Sequence, residues 1–429
     1  MKIGIIGSGH VGLVTGAGFA HLGHEVVCVD SDLNKIALLK KGKLPIYEPG
    51  LGELVQTNLR EKRLSFSHEN LAAVRHGEVL FVCVGTPPRE NGEADLTAIE
   101  NVARQIARNM TAYRLIVEKS TVPVQTGEWL YRTIQANRAR KVAFDVASNP
   151  EFLREGSAVQ DFLYPNRIVL GVESKRAEKI LKELYQPLKA PILVTDLKSS
   201  ELIKHASNSF LACKISFINL ISRVCEAVGA DVEKVAQGMG LDRRIGPAFL
   251  KAGIGFGGFC FPKDLQAFVR IAERLGIDFK LLREVIQINE SQKQVFVDKI
   301  KRRLGRLKGK TFAILGLAFK PDTDDMRFAP SIDIVNLLLK EGARLRLYDP
   351  EANGAARKIF GPLNFLENAY EASRGADALV LLTEWAEFLE LDFRRIKKLM
   401  KGPVVFDGRN FYEPSKIKKL GFQYYGVGR

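Results

Sequence analysis

Residues 2–12 read Lys-Ile-Gly-Ile-Ile-Gly-Ser-Gly-His-Val-Gly, and this stretch decides the fold. The run 2–6 predicts a buried β-strand, and a glycine-rich turn follows at once. A helical pattern then extends to about His21, and a second strand, residues 25–29, ends at Asp30. Strand, glycine turn, helix and strand is the context in which a GxGxxG motif binds a dinucleotide.

Each glycine of the motif has a separate task. Gly7 makes the tight turn, Gly9 lets a pyrophosphate approach the helix N-terminus, and Gly12 permits close packing of helix on strand. Asp30 would accept hydrogen bonds from the adenosine ribose hydroxyls and would repel a 2′-phosphate. The sequence therefore predicts an NAD site and favours NAD over NADP.

Two further predicted strands, residues 79–84 and 115–117, are each followed by a threonine, Thr86 and Thr121. Ligands of an open parallel sheet bind at the carboxyl ends of its strands, so both threonines are candidates to touch the cofactor. The alternative is that each threonine only caps the next helix.

The rest of the chain predicts a helical region and a second α/β unit. Helical spacing covers residues 198–228 and 265–304, residues 311–320 begin a second α/β unit, and later apolar strands are 344–348, 378–382 and 404–406. The predicted fold class is α/β, with two Rossmann-like, doubly wound parallel-sheet domains joined by a helical central region. The predicted domains are 1–195, 196–305 and 306–429. The second unit lacks a full GxGxxG, which favours a mononucleotide or sugar nucleotide there.

A glycine-rich loop, residues 255–264, reads Gly-Phe-Gly-Gly-Phe-Cys-Phe-Pro-Lys-Asp. It places the thiol of Cys260 three residues before Lys263, whose charge favours the reactive thiolate. A structural cysteine would normally sit in an apolar run. We therefore interpret Cys260 as a nucleophile.

Composition limits the class of protein. Of 429 residues, 46% are hydrophobic and 26% charged, which is ordinary for a soluble globular chain. Five cysteines without metal-ligand spacing predict a reducing, cytoplasmic location and no metal site. We expect no signal peptide, and no apolar run reaches the roughly 18 residues of a membrane span.

The net charge of +15 leaves a nucleic-acid partner to consider. The only dense basic run, residues 299–310, has apolar residues at helical spacing and no interleaved aromatic residues. This favours a solvated linker helix over a nucleic-acid site, so no nucleic-acid or membrane partner is expected.

Taken together, the motifs resemble those of the UDP-glucose/GDP-mannose dehydrogenase family across nearly the whole chain. They are Tyr47-Glu-Pro-Gly-Leu51, Lys119-Ser-Thr-Val-Pro123, Asn149-Pro-Glu-Phe-Leu-Arg-Glu-Gly156, Lys204 with Asn208, Arg244-Ile-Gly-Pro247, the Cys260 loop, Gly316-Leu-Ala-Phe-Lys-Pro321 and Asp324-Asp-Met-Arg327. Within the family, the Phe-Pro-Lys-Asp end of the cysteine loop favours UDP-glucose as substrate, with GDP-mannose as the alternative.

The resemblance implies NAD-dependent oxidation of the C6 alcohol of UDP-glucose to the carboxylate of UDP-glucuronate, in two hydride transfers. It makes Cys260 the nucleophile that forms a thiohemiacetal and then a thioester. It makes Lys204 and Asn208 the stabilisers of the oxyanion and Glu151 the base for hydrolysis. Asp264 would orient a water or Lys204, and Thr121 belongs to the same catalytic set.

The same resemblance assigns the ligand contacts. Besides the three glycines of the motif, the NAD set is Val11, Asp30, Lys35, Thr86, Thr121, Glu155, Lys263 and Arg327. The sugar-nucleotide set is Glu151, Phe152, Leu153, Arg154, Glu155, Lys204, Asn208, Arg244, Phe249, Leu250, Lys251, Ala252, Gly253, Gly257, Phe319 and Lys320. Arg244 would reach into the partner subunit's site, which implies a homodimer.

Several of these residues also have an ordinary structural interpretation. Lys204 and Asn208 would suit an exposed helix face, Arg327 could pair with Asp324 or Asp325 in a solvated turn, and Glu151 could favour a helix N-terminus. A non-catalytic nucleotide-binding protein is a further alternative for the whole chain.

Two positions depart from the family pattern: Phe259 stands where a small serine usually precedes the cysteine, and Phe328 stands where an acid usually follows Arg327. We predict that the two rings pack together across the domain interface.

Overall fold

A computed structural model of the chain describes residues 1–429, which form two compact units. The first consists of residues 1–207 and 266–277, and the second of residues 208–265 and 278–429. The predicted division into three domains is finer than this and stays a prediction.

The first unit is built on an eight-stranded sheet in the order β3-β2-β1-β4-β5-β6-β7-β8. Its strands are β1 Lys2–Ile6, β2 Glu25–Val29, β3 Leu64–Ser67, β4 Val79–Val82, β5 Arg114–Glu118, β6 Phe144–Ser148, β7 Ile168–Val172 and β8 Ile192–Thr195. Its helices are α1 His10–His21, α2 Leu33–Lys40, α3 Leu51–Arg60, α4 Asn70–His76, α5 Thr97–Asn109, α6 Thr126–Asn137, α7 Ala158–Leu163 and α8 Lys175–Tyr185.

The order in which strands are added to the sheet reverses at β1, which pairs with β2 on one side and with β4 on the other. Ile3 lies opposite Val26 of β2 and Val79 of β4, and both pairings are parallel. In such a sheet, this reversal opens a crevice at the carboxyl ends of the strands. Only the β6–β7 pairing is antiparallel, so the last two strands run against the other six.

The strands of this sheet are apolar on both sides because helices cover both faces. Side chains alternate between two hydrophobic clusters: Val79 and Phe81 of β4 belong to one, and Leu80 and Val82 to the other. This explains why strand residues 79–82 read as one continuous apolar run.

Two helices carry the chain between the units: α9 Leu197–Val228 and α11 Cys260–Arg274. The predicted helical region 265–304 is two helices, because α12 (Lys280–Leu304) begins only after a break at residues 275–279. Gly276, with φ +73°, stands in that break, where its conformation ends the first helix. A further helix, α10, spans Val232–Gly240.

The second unit contains a six-stranded, wholly parallel sheet in the order β11-β10-β9-β12-β13-β14. Its strands are β9 Thr311–Leu315, β10 Arg344–Tyr348, β11 Asn364–Phe365, β12 Ala378–Leu381, β13 Val404–Asp407 and β14 Gln423–Tyr425. Its other helices are α13 Pro330–Lys340, α14 Asn353–Phe360, α15 Ala369–Ser373, α16 Phe393–Leu399 and α17 Pro414–Lys419. The predicted α/β class with two doubly wound sheets is confirmed.

The basic run 299–310 has exposed cations at Arg302, Arg303, Arg306 and Lys308, and its apolar residues Ile300 and Leu307 are buried. Its first half is the end of α12, where Ile300 is fully buried and Lys299 is 9% exposed. The ammonium of Lys299 contacts the Glu226 carboxylate and the carbonyl of Gly426. The run therefore anchors the second unit, since its apolar residues and one of its cations are buried there.

A membrane span needs a long apolar helix, and the chain contains none.

Candidate active site

The glycine turn after β1 has the shape that the motif requires. Gly7 has φ +100°, and a Cβ on Gly12 would lie 1.8 Å from the Gly7 carbonyl oxygen, so only glycine allows α1 to start this close to the strand. A Cβ on Gly9 would meet nothing within 4 Å, which leaves open space at the N-terminus of α1. This cradle fits a pyrophosphate.

Asp30, the acid at the end of β2, is fixed by three hydrogen bonds. Asp30 accepts from the Lys35 ammonium at 2.8 Å, from the Ser8 amide at 2.9 Å and from the Asp32 amide at 3.0 Å. Partial burial alone would raise the pKa of Asp30, but these hydrogen bonds outweigh it and keep the pKa below its usual value. Asp30 therefore carries a negative charge at neutral pH.

In the second sheet, the acid in the position equivalent to Asp30 is Asp349, and its hydrogen bonds go to groups of its own unit. Asp349, at the end of β10, is fully buried and accepts from the amides of Leu317 and Ala318 and from the Trp385 indole. Because no helix follows β9 before Pro330, this unit has no dinucleotide cradle.

The two predicted threonines meet at the ends of β4 and β5. The Thr86 hydroxyl donates to the Thr121 carbonyl at 2.9 Å. Neither caps a helix, because α5 begins at Thr97 and α6 at Thr126. The capping alternative is wrong, and the threonines lie where ligands bind to parallel sheets. Val11 is half-buried in the first turn of α1.

Glu151 and Lys204 form a buried ion pair in the first unit. The Lys204 ammonium donates to Glu151 Oε1 at 3.0 Å, and the other carboxylate oxygen accepts from the Leu153 amide at 2.5 Å. Lys204 is therefore not on an exposed helix face. Glu151 does not begin a helix either, since α7 starts only at Ala158.

Loop 149–157, which carries Glu151 and Glu155, is supported by polar contacts that the sequence did not reveal. The buried Lys119 ammonium contacts the side chain of Asn149 at 3.0 Å, and the Tyr185 hydroxyl donates to the same amide oxygen. Burial lowers the pKa of Lys119 to about 8. The Arg167 guanidinium lies 3.6 Å from the centroid of the Phe152 ring. Arg154 forms an ion pair with Asp161.

In the second unit, Cys260 is the first residue of α11, where the helix dipole favours a thiolate. Asp264, one turn later, is 1% exposed. Its carboxylate accepts from the Asn208 amide at 2.7 Å and from the Lys263 ammonium at 2.5 Å. The structure thus brings two predicted residues, Asn208 and Lys263, to the buried carboxylate of a third, Asp264.

The glycine-rich loop before Cys260 is fixed by two residues that the motifs did not indicate. Asn289 of α12 accepts from the Phe256 amide at 2.8 Å and donates to the Phe256 carbonyl at 3.0 Å. Arg409 donates to the carbonyls of Gly255 and Phe319. The one available signal for Asn289 was a polar residue between buried apolar positions of a helix.

Phe259 and Phe328 do not pack together, so that prediction is wrong. The Arg327 guanidinium lies 4.4 Å from the Phe259 ring centroid and the Lys263 ammonium 5.6 Å from it. Phe328 is 48% exposed. Cations prefer the electron-rich face of the ring that the second phenylalanine was expected to cover. Arg327 also forms the expected ion pair with Asp325.

The remaining predicted substrate residues lie in the second unit. Leu250 and Ala252 are buried, and Gly253 is held by Asn219 and Gln292. The Lys251 ammonium lies over the Phe411 ring, and the Lys320 ammonium lies over the Phe319 ring. Phe249 has φ +63°, and a Cβ on Gly257 would clash with the Phe328 carbonyl. Arg244 projects into solvent and pairs with Asp242.

No group of three or more His, Cys, Asp or Glu side chains is arranged to hold a metal ion.

Three family models match the chain in order. They describe the NAD binding domain (residues 1–189), the central domain (198–291) and the UDP binding domain (313–414) of the UDP-glucose/GDP-mannose dehydrogenase family. The second unit, without a dinucleotide cradle, thus contains the segment that matches the UDP binding domain.

Individual proteins are similar over the full length. UDP-glucose 6-dehydrogenase TuaD of Bacillus subtilis is 48% identical over 429 residues, covering 100% of this chain and 93% of that protein. UDP-glucose 6-dehydrogenase of Rhizobium meliloti is 48% identical over 437 residues, covering 100% of both. A solved UDP-glucose dehydrogenase from Pyrobaculum islandicum is 40% identical, with a TM-score of 0.93 over 100% of this chain and 98% of that one. The chain therefore belongs to the UDP-glucose/GDP-mannose dehydrogenase family and is an NAD-dependent oxidoreductase.

Proposed function

We propose that the chain oxidises the C6 alcohol of UDP-glucose to the carboxylate of UDP-glucuronate, with Cys260 as the covalent nucleophile. Overall, one UDP-glucose, two NAD⁺ and one water give UDP-glucuronate, two NADH and three protons. NAD, when bound, supplies the two-electron acceptor for each oxidation. The observation that carries the proposal is the full-length identity of 48% with UDP-glucose 6-dehydrogenases, together with a cysteine at the first position of α11.

In this scheme, the Cys260 thiolate adds to the C6 aldehyde and forms a thiohemiacetal. Its oxidation gives a thioester, and a water releases the acid and restores the thiol. Lys204 and Asn208 stabilise the negative oxygen at C6, Glu151 and Thr121 serve the hydrolytic water, and Asp264 orients Asn208. The support for Asp264 is its 2.7 Å hydrogen bond to Asn208, which fixes the amide's orientation.

The remaining assignments follow the same scheme. We place NAD at the glycine turn with Val11, Asp30, Lys35, Thr86, Thr121, Glu155, Lys263 and Arg327, and the sugar nucleotide at residues 151–155, 249–253, 257, 319 and 320 with Lys204, Asn208 and Arg244. The five cysteines are all free thiols, which suits the reducing cytoplasm where we place the enzyme.

We also propose a homodimer, and the support is an exposed apolar stripe on α9. Its members recur at intervals of three, four and seven residues, and each is 41–72% exposed: Phe210, Phe217, Leu220, Val224 and Val228. An apolar stripe of this kind is normally covered. Light scattering coupled to gel filtration should show a dimer, and Phe217→Glu with Val224→Glu should yield a monomer. A monomeric wild type would refute the dimer.

The test of the reaction is the yield of NADH per sugar. Purified protein with excess NAD and limiting UDP-glucose should form two NADH per UDP-glucose, and Cys260→Ala should not complete the reaction. Turnover with GDP-mannose alone would keep the mechanism and change the substrate. No NADH with either sugar nucleotide would refute the proposed function.

A further inference from the structure

Glu48 is a buried carboxylate that holds the end of loop 149–157. It lies between α2 and α3, and its side chain is 0% exposed. Oε1 accepts from the Ala158 amide at 2.8 Å and Oε2 from the Gly156 amide at 2.7 Å. A buried carboxylate is costly unless it is paired, so these donors fix both its position and that of the loop.

The same carboxylate reaches the cofactor turn. His10, the first residue of α1, lies between Gly9 and Gly12 of the motif, and its Nε2 is 2.9 Å from Glu48 Oε2. His10 Nε2 has no hydrogen-bond partner, so the contact with Glu48 is one of proximity. Glu48 therefore contacts the segment that binds the pyrophosphate and the segment that carries Glu151.

The N-terminus of α1 serves the cofactor alone, whereas loop 149–157 carries the sugar-nucleotide residues 151–155, of which only Glu155 is also assigned to NAD. The N-terminus of α1 is the pyrophosphate cradle, and a phosphate bound there changes the charge around His10. Loop 149–157 holds Glu151 against Lys204 at 3.0 Å, and Gly156, with φ +81°, ends that loop at Glu48. A shift of Glu48 would thus move both segments, because both contact the same carboxylate.

We propose that Glu48 is a positioning residue that links cofactor binding to sugar-nucleotide binding through His10 and loop 149–157. The identity of the two ligands rests on the proposed function. Linkage is reciprocal: NADH changes the affinity for the sugar nucleotide by the same factor as the sugar nucleotide changes the affinity for NADH.

The experiment measures this factor without turnover. NADH cannot accept a further hydride, so its dissociation constant can be measured by fluorescence with and without saturating UDP-glucose. We expect the two constants to differ by about fivefold or more in the wild type. In Glu48→Gln and in His10→Phe, the ratio should fall below about twofold.

Loss of structure would not produce this pattern. A loosened loop weakens the binding of one or both ligands. It changes the ratio of the two NADH dissociation constants only if the sites are linked. His10→Phe keeps both amide contacts of Glu48, so it remains informative if Glu48→Gln fails to fold. Asp231→Asn is the matched control, since Asp231 caps α10 by accepting from Glu233 and contacts neither segment. Its ratio should equal that of the wild type.

A wild-type ratio near one, or an unchanged ratio in both variants, overturns the linkage. The proposed function fails separately, by absence of turnover with UDP-glucose. If only GDP-mannose is oxidised, the same titrations are made with GDP-mannose, and the same ratios decide.

Discussion

The Lys204 ammonium donates to the Glu151 carboxylate at 3.0 Å, and each side chain is only 5% exposed. A pair this well buried is stable only while both partners are present, because each charge has been removed from water. The proposed reaction needs Lys204 as a fixed cation and Glu151 as a base. The ion pair holds these two groups next to each other in the first unit.

Removing the lysine should therefore affect both folding and turnover. Lys204→Met leaves Glu151 without its cation and should lower the free energy of unfolding by about 3–5 kcal/mol. The catalytic rate should fall about 100-fold or more. Denaturant unfolding and NADH formation measure the two effects.

Lys198→Met is the matched control on the same helix. Lys198 pairs with Glu128 at 2.8 Å, but its side chain is 49% exposed. Its loss should change stability by less than about 1 kcal/mol and leave turnover intact. Equal effects of the two substitutions would contradict the buried role of Lys204.

Alkylation should select one of the five thiols. Iodoacetamide near neutral pH should modify Cys260 first, because it is half-exposed at a helix N-terminus. Burial raises the pKa of Cys83 to about 12 and that of Cys213 and Cys28 above the usual value, so these thiols should react slowly. Peptide mass spectrometry identifies the modified site.

The loss of activity on alkylation should match the modification of Cys260 one to one. In Cys213→Ser, which removes the other half-exposed thiol, the inactivation rate should be unchanged. Full activity with Cys260 quantitatively alkylated would contradict its role as nucleophile.

Asp30 should set the choice between NAD and NADP. Asp30→Ser removes the charge that repels a 2′-phosphate and releases the Lys35 ammonium, now 2.8 Å away. The ratio of kcat/KM for NAD to that for NADP should fall at least tenfold, or about 1.4 kcal/mol. Adding Lys35→Met to Asp30→Ser should remove most of the increase in kcat/KM for NADP. A ratio that Asp30→Ser leaves unchanged would mean that another residue excludes the 2′-phosphate.

Glu201 should make the protein less stable as the pH rises from acid to neutral. Its carboxyl accepts from the amides of Gln125 and Gly127 at the start of α6. Burial raises its pKa to about 7, although these hydrogen bonds lower it. The folded state thus holds a proton that the unfolded chain releases near pH 4.5.

The sign follows from linkage. The stabilisation is complete below about pH 4.5 and is lost as the pH rises through 7, on the order of 3 kcal/mol. Urea unfolding across this range should show the decline, and Glu201→Gln should flatten it. A variant as pH-dependent as the wild type would assign the decline to another group, for instance the buried Glu118, whose pKa burial also raises.

Local sequence signals were sufficient for the two sheets and the long helices. The GxGxxG turn, the acid at residue 30 and the continuous apolar strands each depend on neighbours a few positions away, so the period and the glycines reveal them. The predicted bounds of α9 and of the strand 344–348 agree with the structure to within about one residue.

Contacts between distant segments could not be read in this way. The partners Lys204 and Glu151 are 53 residues apart, Asn289 and Phe256 are 33 apart, and Glu48 and Ala158 are 110 apart. The Phe259 ring was expected to meet another ring but meets two cations. The sequence by itself determined the two doubly wound sheets and the chemistry available, because periodicity, turn glycines and residue types are local properties. The tertiary structure alone decided which charges are buried together and what holds each loop, because burial and ion pairing depend on which segments the folded chain brings within a few ångströms.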